Sequence, residues 1–250
     1  MVLFLFYVII IFMRIDRLLC ELNIGTRSQV KDLLKKGLVT VNGIKITKPE
    51  TKVDEKKDIV CYGGKAYRYR PFVYYMMNKP SGVISATVDD KEKTVLDLFT
   101  EQMKDQMEGI PVKDIFPVGR LDKDTVGLLL LTNDGELAHR LLSPKKHVPK
   151  KYYVETDVSI TKDQTIQLEV GVDIGEKELT KEAVIEVLED KSCYITITEG
   201  KFHQVKRMFQ AVGLKVLYLK RISMGALLLD EDLKEGEIRE LNQEEVDGLC

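Results

Sequence analysis

Gly119-Arg120-Leu121-Asp122-Lys123-Asp124-Thr125-Val126-Gly127-Leu128-Leu129-Leu130-Leu131-Thr132 sets a short charged loop between two apolar runs. Ile115–Val118 and Leu128–Thr132 read as strands on either side of it. Asp122 therefore stands at the edge of buried surface. A carboxylate is costly to desolvate there unless a base pairs with it. An acid held in that setting is a candidate for chemistry.

Outward from this loop, a unit beginning at Phe72 alternates strands with short helices. Val73–Met77 is strand-like and Asn78-Lys79-Pro80-Ser81-Gly82 is a turn. Thr94 to about Met107, Gly135–Leu142, Thr161–Val170 and Val205–Val212 read as helices. Lys151–Thr156, Ala183–Leu188, Ser192–Thr198, Val216–Ile222 and Ala226–Leu229 read as strands. Strands outnumber helices and are often hairpin-linked, which points to an α+β domain on a large, mostly antiparallel mixed sheet.

Upstream, Arg14 to about Val60 forms a smaller unit. Ile15, Leu18, Leu19 and Leu22 recur at helical spacing. Ser28 is a candidate cap for a second helix through Lys36, with Val30, Leu33 and Leu34 inward and Gly37 at its end. Leu38–Val41 reads as a strand, Asn42-Gly43 as a hairpin turn into Ile44–Ile46, and Asp58–Tyr62 as a further strand. Gly63-Gly64 opens a polar, basic stretch read as a connector. The expected division is an apolar extension over residues 1–12 outside the fold, a first domain over 13–61, a linker over 62–71 and a second domain over 72–250. Met1–Phe12 is too short to span a bilayer and lacks the basic start of a signal peptide, so an upstream extension is favoured over an anchor.

The net charge of −2 conceals an asymmetry. Arg14–Arg70 holds 14 Lys and Arg against 7 Asp and Glu, and Lys201–Arg221 holds 6 basic residues and no acid. Asp230–Cys250 holds 9 acids against 2 bases. Basic stretches with an acidic tail suit a protein that turns one side to phosphate. Arg27, Lys31 and Lys35 recur every four residues, share a helix face and can meet consecutive phosphates, although a solvated face would look the same. Cys20, Cys61, Cys193 and Cys250 have no metal or disulfide spacing, and His139, His147 and His203 are dispersed. Free thiols in a reducing cytosol are expected.

The first unit resembles the S4 RNA-binding domain through Arg14-Ile15-Asp16-Arg17-Leu18-Leu19, Thr26–Lys31 and Gly37–Gly43. The second resembles the RsuA/RluB/RluE/RluF group of pseudouridine synthases. Four motifs in order carry that likeness: Asn78–Gly82, Gly119–Thr132, Ser143-Pro144 with Lys150-Lys151-Tyr152, and Glu199–Met208. Leu179-Thr180-Lys181, Gln204–Met208 and Ala211-Val212-Gly213 look most like its small-subunit rRNA branch.

The resemblance implies isomerisation of a uridine in ribosomal RNA, without metal or cofactor, on a nucleotide flipped out of the RNA. Asp122 matches the catalytic Asp, which either attacks C1′ or promotes loss of a proton at C2′. Lys206 matches the basic residue paired with it, and would otherwise be a phosphate contact. Tyr152 matches the active-site Tyr, for stacking on the base and proton transfer. Tyr153 must face the other side of the sheet and is expected to pack there. Pro149 stands where relatives often carry an acid. Arg120 supports the loop or enters the RNA stack. Arg14, Arg27, Lys31, Lys35, Lys145, Lys146, Lys150, His203, Gln204 and Arg207 are the expected RNA contacts, with His203 and Gln204 also read as braces of the loop.

The expected partner is 16S rRNA or a small-subunit assembly intermediate, met by a cytoplasmic monomer with no membrane contact. A sibling acting on 23S rRNA and a non-catalytic S4-type assembly factor are the alternatives.

Overall fold

A computed structural model describes residues 12–55, 57–104, 114–189 and 191–249. They fall into two compact units. The first runs through Val73; the second begins at Tyr74 and holds the remaining elements, with Met103, Lys104 and Asp114 grouped with the first.

The first unit contains β1 (Phe12–Arg14), α1 (Ile15–Glu21), α2 (Arg27–Lys35), β2 (Val39–Val41), β3 (Ile44–Ile46), β4 (Lys52–Asp54), β5 (Val60–Tyr62) and β6 (Lys65–Tyr67). Ile15, Leu18, Leu19 and Leu22 of the first helical segment are buried with Val30 and Leu34 of α2 and with Val39, Val41 and Val60 of the sheet. The cap of α2 is Thr26 and not Ser28. Thr26 Oγ1 accepts from the Gln29 N–H while Gln29 Oε1 accepts from the Thr26 N–H (2.8 Å), a reciprocal box that satisfies two end donors at once. Asn42 and Gly43 both have positive φ, as a two-residue hairpin needs, and Asn42 also bonds Asp58 and the Ile59 N–H.

Gly63-Gly64 repeats that turn. β5 and β6 pair across it, so residues 62–67 belong to the first unit's sheet and are no free linker. Phe12, placed in the apolar extension, pairs with Asp54 on β4. Both strands escaped detection because, unlike the equally short β2, β3 and β5, they carry no β-branched residue: β1 is Phe12-Met13-Arg14 and β6 is Lys65-Ala66-Tyr67. Residues 1–11 lie outside the described residues.

The second unit contains β7 (Tyr74–Lys79), α3 (Val95–Met103), β8 (Phe116–Pro117), β9 (Val126–Thr132), α4 (Gly135–Leu142), β10 (Lys150–Thr156), α5 (Lys162–Val170), β11 (Val184–Glu189), β12 (Ser192–Ile197), α6 (Gln204–Ala211), β13 (Val216–Met224), β14 (Leu227–Leu228), β15 (Ile238–Glu240) and α7 (Gln243–Gly248). Seven strands run β11-β12-β10-β13-β9-β7-β15, with β8 beside β9 and β14 beside β13. Every pairing is antiparallel except β9 with β13. The expected extension of α3 towards Met107 runs into residues 105–113, outside the described residues. β15 and α7 went unread because the acidic tail masks their few apolar positions.

All seven residues of β9 are buried. Leu137 and Leu141 of α4 pack with Leu128 and Leu130 on one face. Tyr75 of β7 meets Phe99 of α3 edge-on, ring centroids 4.9 Å apart. A strand flanked by neighbours and helices reads as a continuous apolar run. Gly127 is what lets β9 and β13 pair: φ is +99°, and a Cβ there would lie 2.3 Å from the Arg221 carbonyl oxygen. Among the described residues no helix is long and apolar enough to cross a membrane.

Candidate active site

The loop from Gly119 to Thr125 joins β8 to β9, and it is held from several directions. The Ser85 hydroxyl bonds both sides of Leu121, donating to its carbonyl (2.9 Å) and accepting from its N–H (3.0 Å). The Gly82 N–H donates to the Lys123 carbonyl (2.8 Å). Lys79 is fully buried and donates to the carbonyls of Pro80 (3.0 Å), Lys123 (3.3 Å) and Thr125 (2.9 Å). Burial pulls its pKa down to about 8, against the raising fields of Asp124 and Asp122. An ammonium is rarely buried without a carboxylate; here three carbonyls take that place and clamp the loop.

The clamped loop presents Asp122. Its Oδ2 lies 3.0 Å from Lys206 Nζ on α6, and its Oδ1 3.4 Å from His203 Nε2. The side chain of Asp122 is 23% exposed, so it opens to the outside on one side only. Lys206 also meets Asp124, 2.5 Å away, although that carboxylate is 71% exposed. One ammonium thus bridges two acids. Burial opposes the charge on Lys206, but its hydrogen bonds to Asp124 and Asp122 outweigh burial and raise its pKa. The Lys206 hydrogen bond in turn lowers the pKa of Asp124.

Beside this pair opens a cavity of about 600 Å³ lined by Arg120, Asp122, Tyr152, Phe202, His203 and other residues of the loop and sheet. Tyr152 is on its wall and almost buried. Tyr153 faces the other side of the sheet, in edge contact with Tyr194 and Tyr218. A clamped carboxylate, a shared cation and an aromatic ring around a cavity of nucleotide size suit chemistry on a sugar–base bond.

Comparison with known proteins agrees with that geometry. The RNA pseudouridylate synthase family matches residues 73–211, and the S4 domain matches residues 13–60. The chain belongs to the RNA pseudouridine synthases. Its sequence is 49% identical over 238 residues to an uncharacterized RNA pseudouridine synthase of Bacillus subtilis (strain 168), covering 94% of this chain and 97% of that one. It is 40% identical to ribosomal small subunit pseudouridine synthase A of Vibrio cholerae, covering 95% and 99%. A crystal structure of a pseudouridylate synthase superposes with a TM-score of 0.65 at 34% identity, covering 95% of this chain and all of the other.

The remaining residues singled out in this pseudouridine synthase fall into three groups. Arg120, Lys145 and Lys146 are exposed, and Arg120 lies at the cavity. In the S4 domain Arg27, Lys31 and Lys35 are exposed along one face of α2, away from buried Val30 and Leu34, while Arg14 is exposed and paired with Asp16 (2.8 Å).

A second group is engaged inside the protein. Gln204 is buried, donating to Glu199 Oε1 (2.6 Å) and accepting from the Lys201 N–H (2.8 Å). Arg207 bonds Glu176 (2.9 Å) and the carbonyls of Phe202 (3.0 Å) and Ile174. Their contacts are those of braces. His203 shares both characters: it is exposed, left-handed at φ 48°, stacked on Phe202, and beside Asp122.

Lys150 stands alone. Expected on a basic outer face, it is buried against the cavity. Sequence reading passed over Ser85, the sharing of Lys206 with Asp124, and Arg221, which it counted as basic surface and which is 2% exposed. Lys79 was placed only in a turn, without its grip on the loop. The one signal available was the proximity of Lys79 to a Pro-Ser-Gly turn.

Proposed function

We propose that this pseudouridine synthase isomerises a uridine of ribosomal RNA, most specifically of 16S rRNA, with Asp122 as the reacting carboxylate. The single observation that carries the reading is the clamped Asp122, 3.0 Å from Lys206 at the mouth of a cavity that Tyr152 lines. The 16S assignment rests on the similarity to small-subunit synthases along nearly the whole chain.

In this reading the target nucleotide leaves the RNA and its base enters the cavity, stacking on Tyr152. The ribose then lies at the mouth, beside Asp122. Lys206 pairs with the carboxylate, and in this reading the loop clamp holds it where C1′ and C2′ arrive, so little reorganisation is needed as the bond breaks. Asp122 serves equally for attack at C1′ or for removal of the C2′ proton. The Tyr152 hydroxyl moves a proton in this reading. His203 and Arg120, which line the cavity, and the exposed Lys145 and Lys146 meet RNA in this reading. The S4 domain, matched over residues 13–60, holds the RNA through Arg14, Arg27, Lys31 and Lys35. The protein works as a cytoplasmic monomer on 16S rRNA or a small-subunit assembly intermediate, with no cofactor.

Pseudouridine mapping of both rRNAs from cells with and without the gene tests this. One 16S position is expected to revert to uridine. Loss at a 23S position instead would move the substrate to the sibling branch, and no loss in either would remove ribosomal RNA as the substrate.

A further inference from the structure

The inner wall of the cavity carries two cations that the Asp122 chemistry leaves unused. Lys150 on β10 and Arg221 on β13 both line it. Lys150 is two residues from Tyr152 on the same strand, and Arg221 is the cross-strand partner of Tyr152, so all three stand on one sheet face. Lys150 is 8% exposed and Arg221 2%. Arg221 Nε donates to the Leu128 carbonyl (2.7 Å) and Lys150 Nζ to the Val148 carbonyl (3.0 Å). Arg221 Nη2 is buried with no hydrogen-bond partner among the described residues.

No ion pair joins either cation to a carboxylate among the described residues. The acids lining the cavity are engaged elsewhere: Asp122 with Lys206 and His203, and Glu199 with Gln204 and the Lys181 N–H. The two cations also sense each other, since burial and then the charge of Arg221 lower the pKa of Lys150. Two like charges on one buried wall are unfavourable, and neither has a counter-charge. Such a wall suits an anion that forms during the reaction.

The proposed reaction forms one. When the C1′–N1 bond breaks, its electron pair leaves with the base. Uracil departs as a monoanion whose charge is spread over N1, O2 and O4. Meanwhile C1′ bonds to the carboxylate, or the sugar loses its C2′ proton. The base turns, C5 bonds to C1′ as the carboxylate leaves or the C2′ proton returns, the C5 proton is released and N1 takes up a proton. The sum is an isomerisation.

We propose that Arg221 and Lys150 form a cationic floor that holds the carbonyl oxygens of the detached uracil anion through cleavage, rotation and reattachment. A flat base fits this wall better than a phosphate does, because Tyr152, Ile197 and Leu219 line the same cavity. The inference rests on Asp122 being the reacting carboxylate.

The test compares single-turnover conversion of a 16S rRNA transcript made with uridine or with 5-fluorouridine. The fluorinated base is more acidic, leaves more readily as an anion, and needs the floor less. Arg221→Gln is expected to slow uridine conversion about 100-fold and cleavage of the 5-fluorouridine bond by less than about 10-fold, with unchanged RNA affinity. Lys150→Gln, at the first position of β10, is expected to show the same pattern and gives an independent reading if Arg221→Gln does not fold. Equal slowing on both transcripts, a loss explained by weaker RNA binding, or no slowing overturns the floor. Asp122→Asn runs alongside. If it is inactive while the floor variants show no leaving-group dependence, only the floor fails. If it remains active, the reading of the site fails and the floor fails with it.

Discussion

The cations of α2 and the cations of the synthase cavity are placed by opposite physics. Arg27, Lys31 and Lys35 stand in water along one helix face. Their interaction with phosphate is long-ranged, tolerant of geometry and weakened by salt. Lys79, Lys150 and Arg221 are buried. Each is fixed by backbone carbonyls, and its effect depends on ångström placement and barely on ionic strength. Under the proposed function the contrast becomes a division of labour: exposed cations would bring the RNA, and buried ones would shape what happens to a single nucleotide.

The largest expected effect cuts at the acid these buried groups serve. Asp122→Asn keeps the loop's size and its backbone bonds but removes the charge. Conversion should fall by more than about 1,000-fold, with RNA affinity nearly unchanged. Wild-type rates in this variant would break the division at its chemical end.

Lys79→Met comes next. It removes the ammonium from the carbonyls of Pro80, Lys123 and Thr125; the Lys123 carbonyl keeps the Gly82 N–H, and a carbonyl left buried and unpaired loses roughly 1–3 kcal/mol. The melting temperature should drop and the single-turnover rate should fall about 100-fold, without a change in the salt dependence of binding. A pH series sharpens the point. The folded-state pKa of Lys79 lies near 8, below the ordinary lysine value of 10.5. Burying the ammonium therefore costs stability below pH 8, and that cost is relieved as pH rises from about 8 towards 10.5. Between pH 8 and 10 the wild type should gain stability relative to Lys79→Met. A flat difference would mean that Lys79 is not held as a buried ammonium.

The smallest effect belongs to the exposed set. Replacing Arg27, Lys31 and Lys35 together by Ala should weaken RNA binding about tenfold at low salt and reduce the salt slope by roughly 2 to 3. The rate of the bound complex should hold. If the rate falls and the slope does not, α2 acts on the chemistry and the contrast with the cavity collapses.

What could be read before the structure follows the same line. The helix face of α2 was legible because a period of four repeats along one element. The Asn42-Gly43 hairpin was legible because its turn needs positive φ, and α4 was read over its full length from local pattern and its boundaries. Asp122 was legible because an acid between two apolar runs conflicts with burial. β1 and β6 were missed because they carry no β-branched residue, and β4 because its single Val stands between Lys and Asp, whereas the equally short β2, β3 and β5 adjoin β-branched runs or a hairpin turn. Thr26 lost the cap to Ser28 in the reading because the reciprocal bond with Gln29 was not weighed. The grip of Lys79 on the loop, the hold of Ser85 on Leu121, and the bridging of Asp122 and Asp124 by Lys206 involve partners 36 to 84 residues apart. No local pattern encodes them.

From sequence alone came the order of most elements, the charged loop between two strands, and the polarity that separates a basic leading unit from an acidic tail. These depend on neighbours along the chain, where spacing and side-chain type suffice. Only the tertiary structure decided which cations are buried. Arg221 and Lys150 look like ordinary surface residues of a basic run until β10, β13 and β9 come together, because burial is a property of what packs against a residue from afar. Gly127, which permits that approach, shows its reason only once the Arg221 carbonyl stands 2.3 Å from where a Cβ would be.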